Sequence, residues 1–307
     1  MEKNIFKNPL FIAICATFCC ALWGSATPFI KIGYKLALPV KDVPSTLLFA
    51  GLRFCLAGIL TIAFVSITNK KFLYPKKSNI LKVLNVSCFQ TVIQYIFFYI
   101  GLANTSGVKG TVLSGSNAFF ALLIASTLFR YEKFTLRKII ACILGFSGIV
   151  LVNINGLDFT MNFTGDCFVI FSSVAYGVSS CLIKKYSNCE NPVVISGYQF
   201  FIGGFVMAVT GVLTGGIIEI SSLLGLLVLI YLGFLSAIAY GLWSVLLKHN
   251  PVSKVTIYSF LIPVFGVILS NVMLTEKSNV SSVNLIITLI LICTGVIMLN
   301  YSKNKEK

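Results

Sequence analysis

Residues 221–247 read SSLLGLLVLIYLGFLSAIAYGLWSVLL, without a single Asp, Glu, Lys, Arg or His. A bilayer core about 30 Å thick is crossed by about 20 helical residues, so this run suffices with room for tilt. Working outward, comparable apolar runs recur along the whole chain. They predict ten helical spans at 10–34, 46–68, 80–103, 108–130, 137–154, 165–187, 193–217, 221–247, 254–274 and 283–301. Polar breaks such as Asn69–Asn79, Asn155–Asp158 and His249–Ser253 separate them, and the loops are too short for a soluble domain. A membrane barrel would instead show alternating segments of about 10 residues.

Composition agrees. The 307 residues are 57% hydrophobic and 11% charged, with a mean hydropathy of +0.94. Soluble domains carry about 25% charged residues. A soluble enzyme, a secreted disulfide scaffold and a disordered chain are excluded. The ten cysteines lie almost entirely inside apolar runs, without CxxC or Cys/His spacing, and read as unpaired packing residues. No metal or cofactor is expected, and no GxxxxGK[ST] run suggests ATP use.

The net charge of +15 sits in short clusters between apolar runs, the pattern of cytoplasmic loops rather than of nucleic-acid binding. With the N-terminus in the cytoplasm, eighteen Lys and Arg fall inside. Lys31, Lys35, Lys41, Lys109 and Lys277 fall outside, and Arg53 lies within a span, which accounts for all 24. Both termini are therefore expected in the cytoplasm of a cell (inner or plasma) membrane protein. The first apolar run exceeds a signal core in length and reads as an uncleaved span.

The chain repeats itself. Trp23-Gly24 aligns with Tyr176-Gly177 at an offset of 153, and Leu56-Ala57-Gly58 with Ile202-Gly203-Gly204 at 146, which sets Gln199 opposite Arg53. Glu132-Lys133 aligns with Glu276-Lys277, and Gly148–Asn153 with Gly295–Asn300 at 147. Each half holds five spans. Five is odd, so the second half enters the membrane from the opposite side. The expected fold is all-α, ten transmembrane helices in two inverted five-helix repeats, 10–154 and 163–301. Inverted repeats suit alternating access to a central site.

With these pieces placed, the chain resembles the EamA family of the drug/metabolite transporter superfamily. The resemblance rests on Ala21-Leu22-Trp23-Gly24, Arg53, Gly101–Ser106, Phe260-Leu261-Ile262-Pro263-Val264-Phe265, Glu276-Lys277 and the closing Gly148–Leu151 and Gly295–Met298 runs. It implies a ten-span carrier for small organic molecules, often exported. Three departures stand out: Phe119 where a proline like Pro263 is expected, Tyr176 in place of the tryptophan, and His249-Asn250-Pro251 after span 8.

Polar side chains in lipid should face the protein interior or a wet cavity. Ser87, Gln90, Thr91 and Gln94 form one stripe at helical spacing. Either they hydrogen-bond a substrate or they join helices. Ser114 and Asn117 in span 4, and Tyr240, Trp243 and Ser244 in span 8, offer similar groups. Trp23 and Tyr176, related by the repeat, are expected across the pathway from each other, or packed beside Gly24 and Gly177. Arg53 either holds a substrate carboxylate, satisfies helix-end carbonyls or faces an outer vestibule. The candidate substrate-binding set is Trp23, Arg53, Gln90, Gln94, Asn117, Tyr176, Tyr240 and Trp243.

No Asp or Glu lies at mid-span. That favours a carrier that follows a gradient or exchanges solutes, while Glu132 and Glu276 read as helix-end residues. The expected function is secondary transport of amino acids, metabolites or amphiphilic drugs, with substrate and lipid as partners. A monomer suffices and a dimer is compatible. A membrane enzyme would need acid/base or metal residues near the interface, and His249 has no carboxylate cluster beside it. A receptor, channel or structural protein is the remaining alternative.

Overall fold

In lipid every backbone polar group must be satisfied internally, which leaves helices as the form for these apolar segments. The computed structural model describes residues 5–105, 107–154, 162–273 and 282–300, and among them there are helices and no strands. The helices are α1 Pro9–Ala37, α2 Val43–Thr68, α3 Lys77–Ala103, α4 Val108–Thr127 and α5 Leu136–Asn153. The second set comprises α6 Phe163–Tyr186, α7 Pro192–Leu213, α8 Leu223–His249, α9 beginning at Val252, and α10 Ser282–Asn300. Among the described residues nine are long and apolar enough to cross a membrane. The tenth, α5, has 18 residues and carries Arg137 and Lys138 in its first turn. Ser106, Asn155–Asp158, Glu276, Lys277 and the terminal lysines lie outside the described residues.

Several starts follow local chemistry. Asn8, Asp42, Asn191 and Ser222 each accept a backbone N–H from the first turn of α1, α2, α7 and α8. Pro9, Pro44 and Pro192 occupy the first helical positions, where a missing N–H costs nothing.

The helix pairing has two-fold pseudosymmetry. α1 packs on α8 and α9, while α6 packs on α3 and α4; α2 crosses α7, and α5 lies along α10. The contacts repeat atom by atom. A Cβ on Gly58 would stand 2.5 Å from Phe201 N and 2.7 Å from Gly197 O. Its repeat mate Gly204 would meet Cys55 N at 2.5 Å and Gly51 O at 2.8 Å. The offset of 146 that aligns Gly58 with Gly204 also aligns Gly51 with Gly197 and Cys55 with Phe201. Likewise Gly148 faces Thr288, whose hydroxyl donates to Gly148 O at 3.0 Å, while Gly295 faces Ala141. One offset, 147, relates both partners. Two-fold reciprocity of this kind is what a self-complementary contact requires. Small residues allow the backbones to approach in lipid, where packing rather than water drives association.

Among the described residues, three helices are interrupted away from their ends, and α6 opens with a π-turn at Phe163–Cys167. α3 contains a π-turn at Cys88–Ile93. α4 breaks at Gly115-Ser116, between Gly107–Ser114 and Asn117–Thr127. α9 passes from Val252–Thr256 through a 3-10 turn at Ile257–Phe260 into Leu261–Met273. The offset of 144 that aligns Glu132 with Glu276 carries the α4 break onto the α9 turn. Phe119 thus departs from the proline pattern without removing the interruption: Gly115-Ser116 breaks the first half where the residues before Pro263 break the second.

Candidate functional site

The interruptions surround the middle of the bundle, and polar groups collect there. Trp23, Arg53, Gln90, Gln94, Asn117, Tyr176, Tyr240 and Trp243 each lie within about two turns of their helix's midpoint.

An aromatic chain runs through this centre. The Trp23 ring meets Tyr240 at 4.8 Å and Trp243 at 4.9 Å, both edge-on. Tyr240 continues to Phe200 at 4.7 Å, Phe200 stacks on Phe54 at 5.2 Å, and Phe54 meets Tyr95 at 4.5 Å. A hydrogen bond of 2.6 Å between the Tyr95 and Tyr240 hydroxyls closes the ring of contacts. Helices α1, α2, α3, α7 and α8 all contribute. Trp23 packs on Trp243 and Tyr240, while Tyr176 is buried in the same apolar cluster as Trp243. Such edge-to-face pairs are worth about 0.5–1.5 kcal/mol beyond their burial.

The α3 stripe divides. Ser87 Oγ donates to Gln199 O at 2.9 Å and Thr91 Oγ1 donates to Gln199 Oε1 at 2.7 Å, so these two hydroxyls join α3 to α7. Gln90 and Gln94 are buried, and the Oε1 of each lacks a protein partner. The π-turn carries both Gln90 and Thr91, and it is the approach of Gln199 that satisfies the latter. Ser244 bonds Ser196 at 2.7 Å across α7 and α8, and Ser114 bonds Gly110 O in its own helix. Asn117 opens the second piece of α4 and is half-buried.

Unpartnered buried polar atoms concentrate here. Trp23 Nε1, Arg53 Nε, Gln90 Oε1, Gln94 Oε1 and Gln199 Nε2 have none among the protein's own groups. An unmade hydrogen bond in an apolar interior costs about 1–3 kcal/mol. Buried polar groups are otherwise nearly always paired, so these atoms set the centre of the bundle apart from its flanks.

Arg53 is 5% exposed, with its guanidinium 4.3 Å above the Phe54 ring. Tyr95, Tyr99 and Tyr34 join this picture without having been singled out from the sequence. Tyr95 and Tyr99 stand one turn apart in α3, a spacing that marks a shared face.

The charged pairs lie elsewhere. Asp166, at the start of α6, holds Lys109 at 2.6 Å and accepts from Thr105 Oγ1 at 2.8 Å and from the Asn162 N–H at 2.9 Å. Lys109, counted above among the outside charges, is tucked into the bundle. Glu132 pairs with Lys138 at 3.0 Å and accepts from the N–H and hydroxyl of Ser253 at the start of α9, tying the α4–α5 loop to the second half. Phe6 stacks on His249 at 5.4 Å, and Asn250 donates to Phe6 O, so His249-Asn250 anchors the N-terminal segment. Among the described residues no group of His, Cys, Asp and Glu is arranged to hold a metal.

Comparison with known proteins agrees with this architecture. A transporter of Archaeoglobus fulgidus, described as uncharacterized, is 25% identical over 280 residues, covering 90% of this chain and 94% of that protein. The uncharacterized transporter YvbV of Bacillus subtilis is 24% identical, covering 96% and 93%. A probable amino-acid metabolite efflux pump of Escherichia coli is 24% identical, covering 83% and 84%. A solved crystal structure superposes with a TM-score of 0.73 at 15% identity, covering 94% of this chain and 97% of that one, which speaks to the fold. The EamA-like transporter family matches twice in succession, over residues 10–154 and 163–301. With two family units laid head to tail across an all-helical, multi-pass membrane bundle, the chain belongs to the EamA-like transporter family.

Proposed function

We propose that this protein is a secondary carrier for small organic solutes, moving amino acids, other metabolites or amphiphilic drugs outward by alternating access. One observation carries the reading: buried polar atoms without protein partners gather at mid-membrane, beside helices broken at pseudo-equivalent places. Discontinuous helices at a repeat interface are where carriers of this architecture bind substrate. A break in each half gives both the same hinge, so that one half can adopt the shape the other leaves. In this reading Trp23, Tyr176, Tyr240 and Trp243 supply flat apolar walls. Gln90, Gln94 and Asn117 supply amide hydrogen bonds, and Arg53 supplies charge. The E. coli relative's name, a probable amino-acid metabolite efflux pump, points to the same solute class.

In this reading the protein lies in the cell membrane with both termini in the cytoplasm, which the lysine distribution supports. One chain encloses the pathway, with lipid around it, so a monomer suffices. The reading is of a carrier rather than an enzyme, and it uses no cofactor. With no carboxylate at the aromatic centre, transport follows a gradient or exchanges solutes.

The test is flux in proteoliposomes. Trp243→Ala and Gln94→Ala should each lower uptake of a transported solute while the purified variants keep their elution profile and melting cooperativity. Undiminished flux in both rejects this site. Single-channel currents far above carrier turnover would instead make the protein a channel.

A further inference from the structure

Arg53 lies ten residues into α2, near mid-membrane, and is nine-tenths buried. Burying a guanidinium at this depth is costly unless an anion or several hydrogen bonds meet it. The described residues supply no anion there, and among their polar groups Tyr95 hydrogen-bonds the guanidinium. Among the described residues no carboxylate pairs with Arg53, and its Nε–H has no acceptor. Its neighbours are the ring of Phe54 and the phenols of Tyr99, Tyr95, Tyr240 and Tyr34, drawn from α1, α2, α3 and α8. Its repeat mate in α7 is Gln199, whose amide is held by Thr91, so the charge is confined to one wall. The burial also speaks against an open outer vestibule.

From this arrangement we infer that the transported solute is a monocarboxylate with an aromatic or apolar body. This deepens the carrier reading and rests on it. The carboxylate takes the guanidinium fork in a bidentate pair, and the body lies along the rings of Phe54, Tyr240 and Trp23. One cation in the aromatic centre matches one negative charge, which selects carboxylate over a doubly charged phosphate. The phenols suit the role because they line the charge without neutralising it.

The chain has only two tryptophans, Trp23 and Trp243, and both lie in this centre. Intrinsic tryptophan emission of the purified protein therefore reports on it directly. The probes are 3-phenylpropionate and its isosteric amide, 3-phenylpropionamide. The wild-type protein should bind the carboxylate about tenfold or more tightly than the amide, the value of one charge-assisted hydrogen bond. Arg53→Gln should bring the ratio to about one, and Arg53→Lys, which keeps the charge but loses the fork, should give an intermediate ratio. Ligand-free Arg53→Gln should melt no lower than wild type, since it removes an uncompensated charge; a purely structural arginine would melt lower. Equal affinity for both probes, or no binding of either, overturns the inference. If the amide or a neutral solute is still carried in proteoliposomes, the carrier reading survives without the carboxylate; if nothing is carried, the carrier reading falls with it.

Discussion

The crossing of α2 and α7 offers a quantitative test of the two-fold design. A Cβ on Gly204 would stand 2.5 Å from Cys55 N, 2.8 Å from Gly51 O and 2.9 Å from Phe54 C. All three are backbone atoms, so no side chain can swing away. Ordinary contact begins near 3.4 Å, so Gly204→Ala must part the helices by about 0.9 Å. A radial gap of 0.5–1 Å forfeits about a quarter to a half of each dispersion contact along the seam. Overpacking of this kind costs about 1–3 kcal/mol. Alanine returns about 1 kcal/mol of helix propensity. Because the clash is with backbone we place the cost at the top of its range, leaving about 2 kcal/mol of net destabilisation. Gly58→Ala meets the mirror contacts, Phe201 N at 2.5 Å and Gly197 O at 2.7 Å, and should cost the same. The double variant should be sub-additive, because one separation relieves both clashes. Gly241→Ala is the control: its Cβ would meet only Val193 Cγ1 at 3.9 Å, so it should be neutral or stabilising. The assay is thermal unfolding of the purified variants in one detergent. Two alanines that differ widely, or that both leave the midpoint untouched, would refute the close backbone crossing and the reciprocity drawn from it.

Three further outcomes are expected. Lys109→Met should destabilise by about 1–3 kcal/mol by stranding the buried Asp166 carboxylate, and adding Asp166→Asn should restore much of the loss in the same melting assay. Partial burial of Glu190 opposes its ionisation. Hydrogen bonds from Asn79, the Lys76 N–H and the Asn191 N–H outweigh that and hold the carboxyl below its usual range. Its stabilisation is thus present above the unfolded value near about 4.3 and lost as pH falls through the folded one, so Glu190→Gln should flatten the acid side of the melting profile. Finally, Gln199→Leu should loosen the α3–α7 seam, because Thr91 and its own buried amide lose each other; faster amide exchange in α3 is the readout, and unchanged exchange would remove Gln199 from that role.

Much of the architecture was legible because the bilayer is an unforgiving solvent. Spans such as Leu223–His249 announce themselves by length and lack of charge. The inverted repeat was legible from small, packing-critical residues: Gly58 with Gly204, and Gly148 with Gly295. Gly58 and Gly204 stand at reciprocal backbone contacts, so no side chain can replace them without moving a helix. The gathering of Trp23, Tyr240 and Trp243 followed from amphipathic residues lying where lipid should not meet them.

What the chain order could not reveal was which polar groups serve the fold and which are left over. Ser87, Gln90, Thr91 and Gln94 share one helical stripe, yet two bond α7 and two keep buried oxygens without partners; the neighbour Gln199 makes that division. Lys109 reads as an outside charge at the start of the fourth span until Asp166, 57 positions later, reaches it. Arg53 had three readings, and the tertiary structure surrounds it with four phenols and, among the described residues, no carboxylate. Hydrophobic length and repeat spacing are local properties of the chain, whereas hydrogen-bond satisfaction depends on which distant atoms arrive within about 3 Å. That is why the sequence by itself determined the membrane bundle and its symmetry, and why only the folded bundle decided where an uncompensated charge is held.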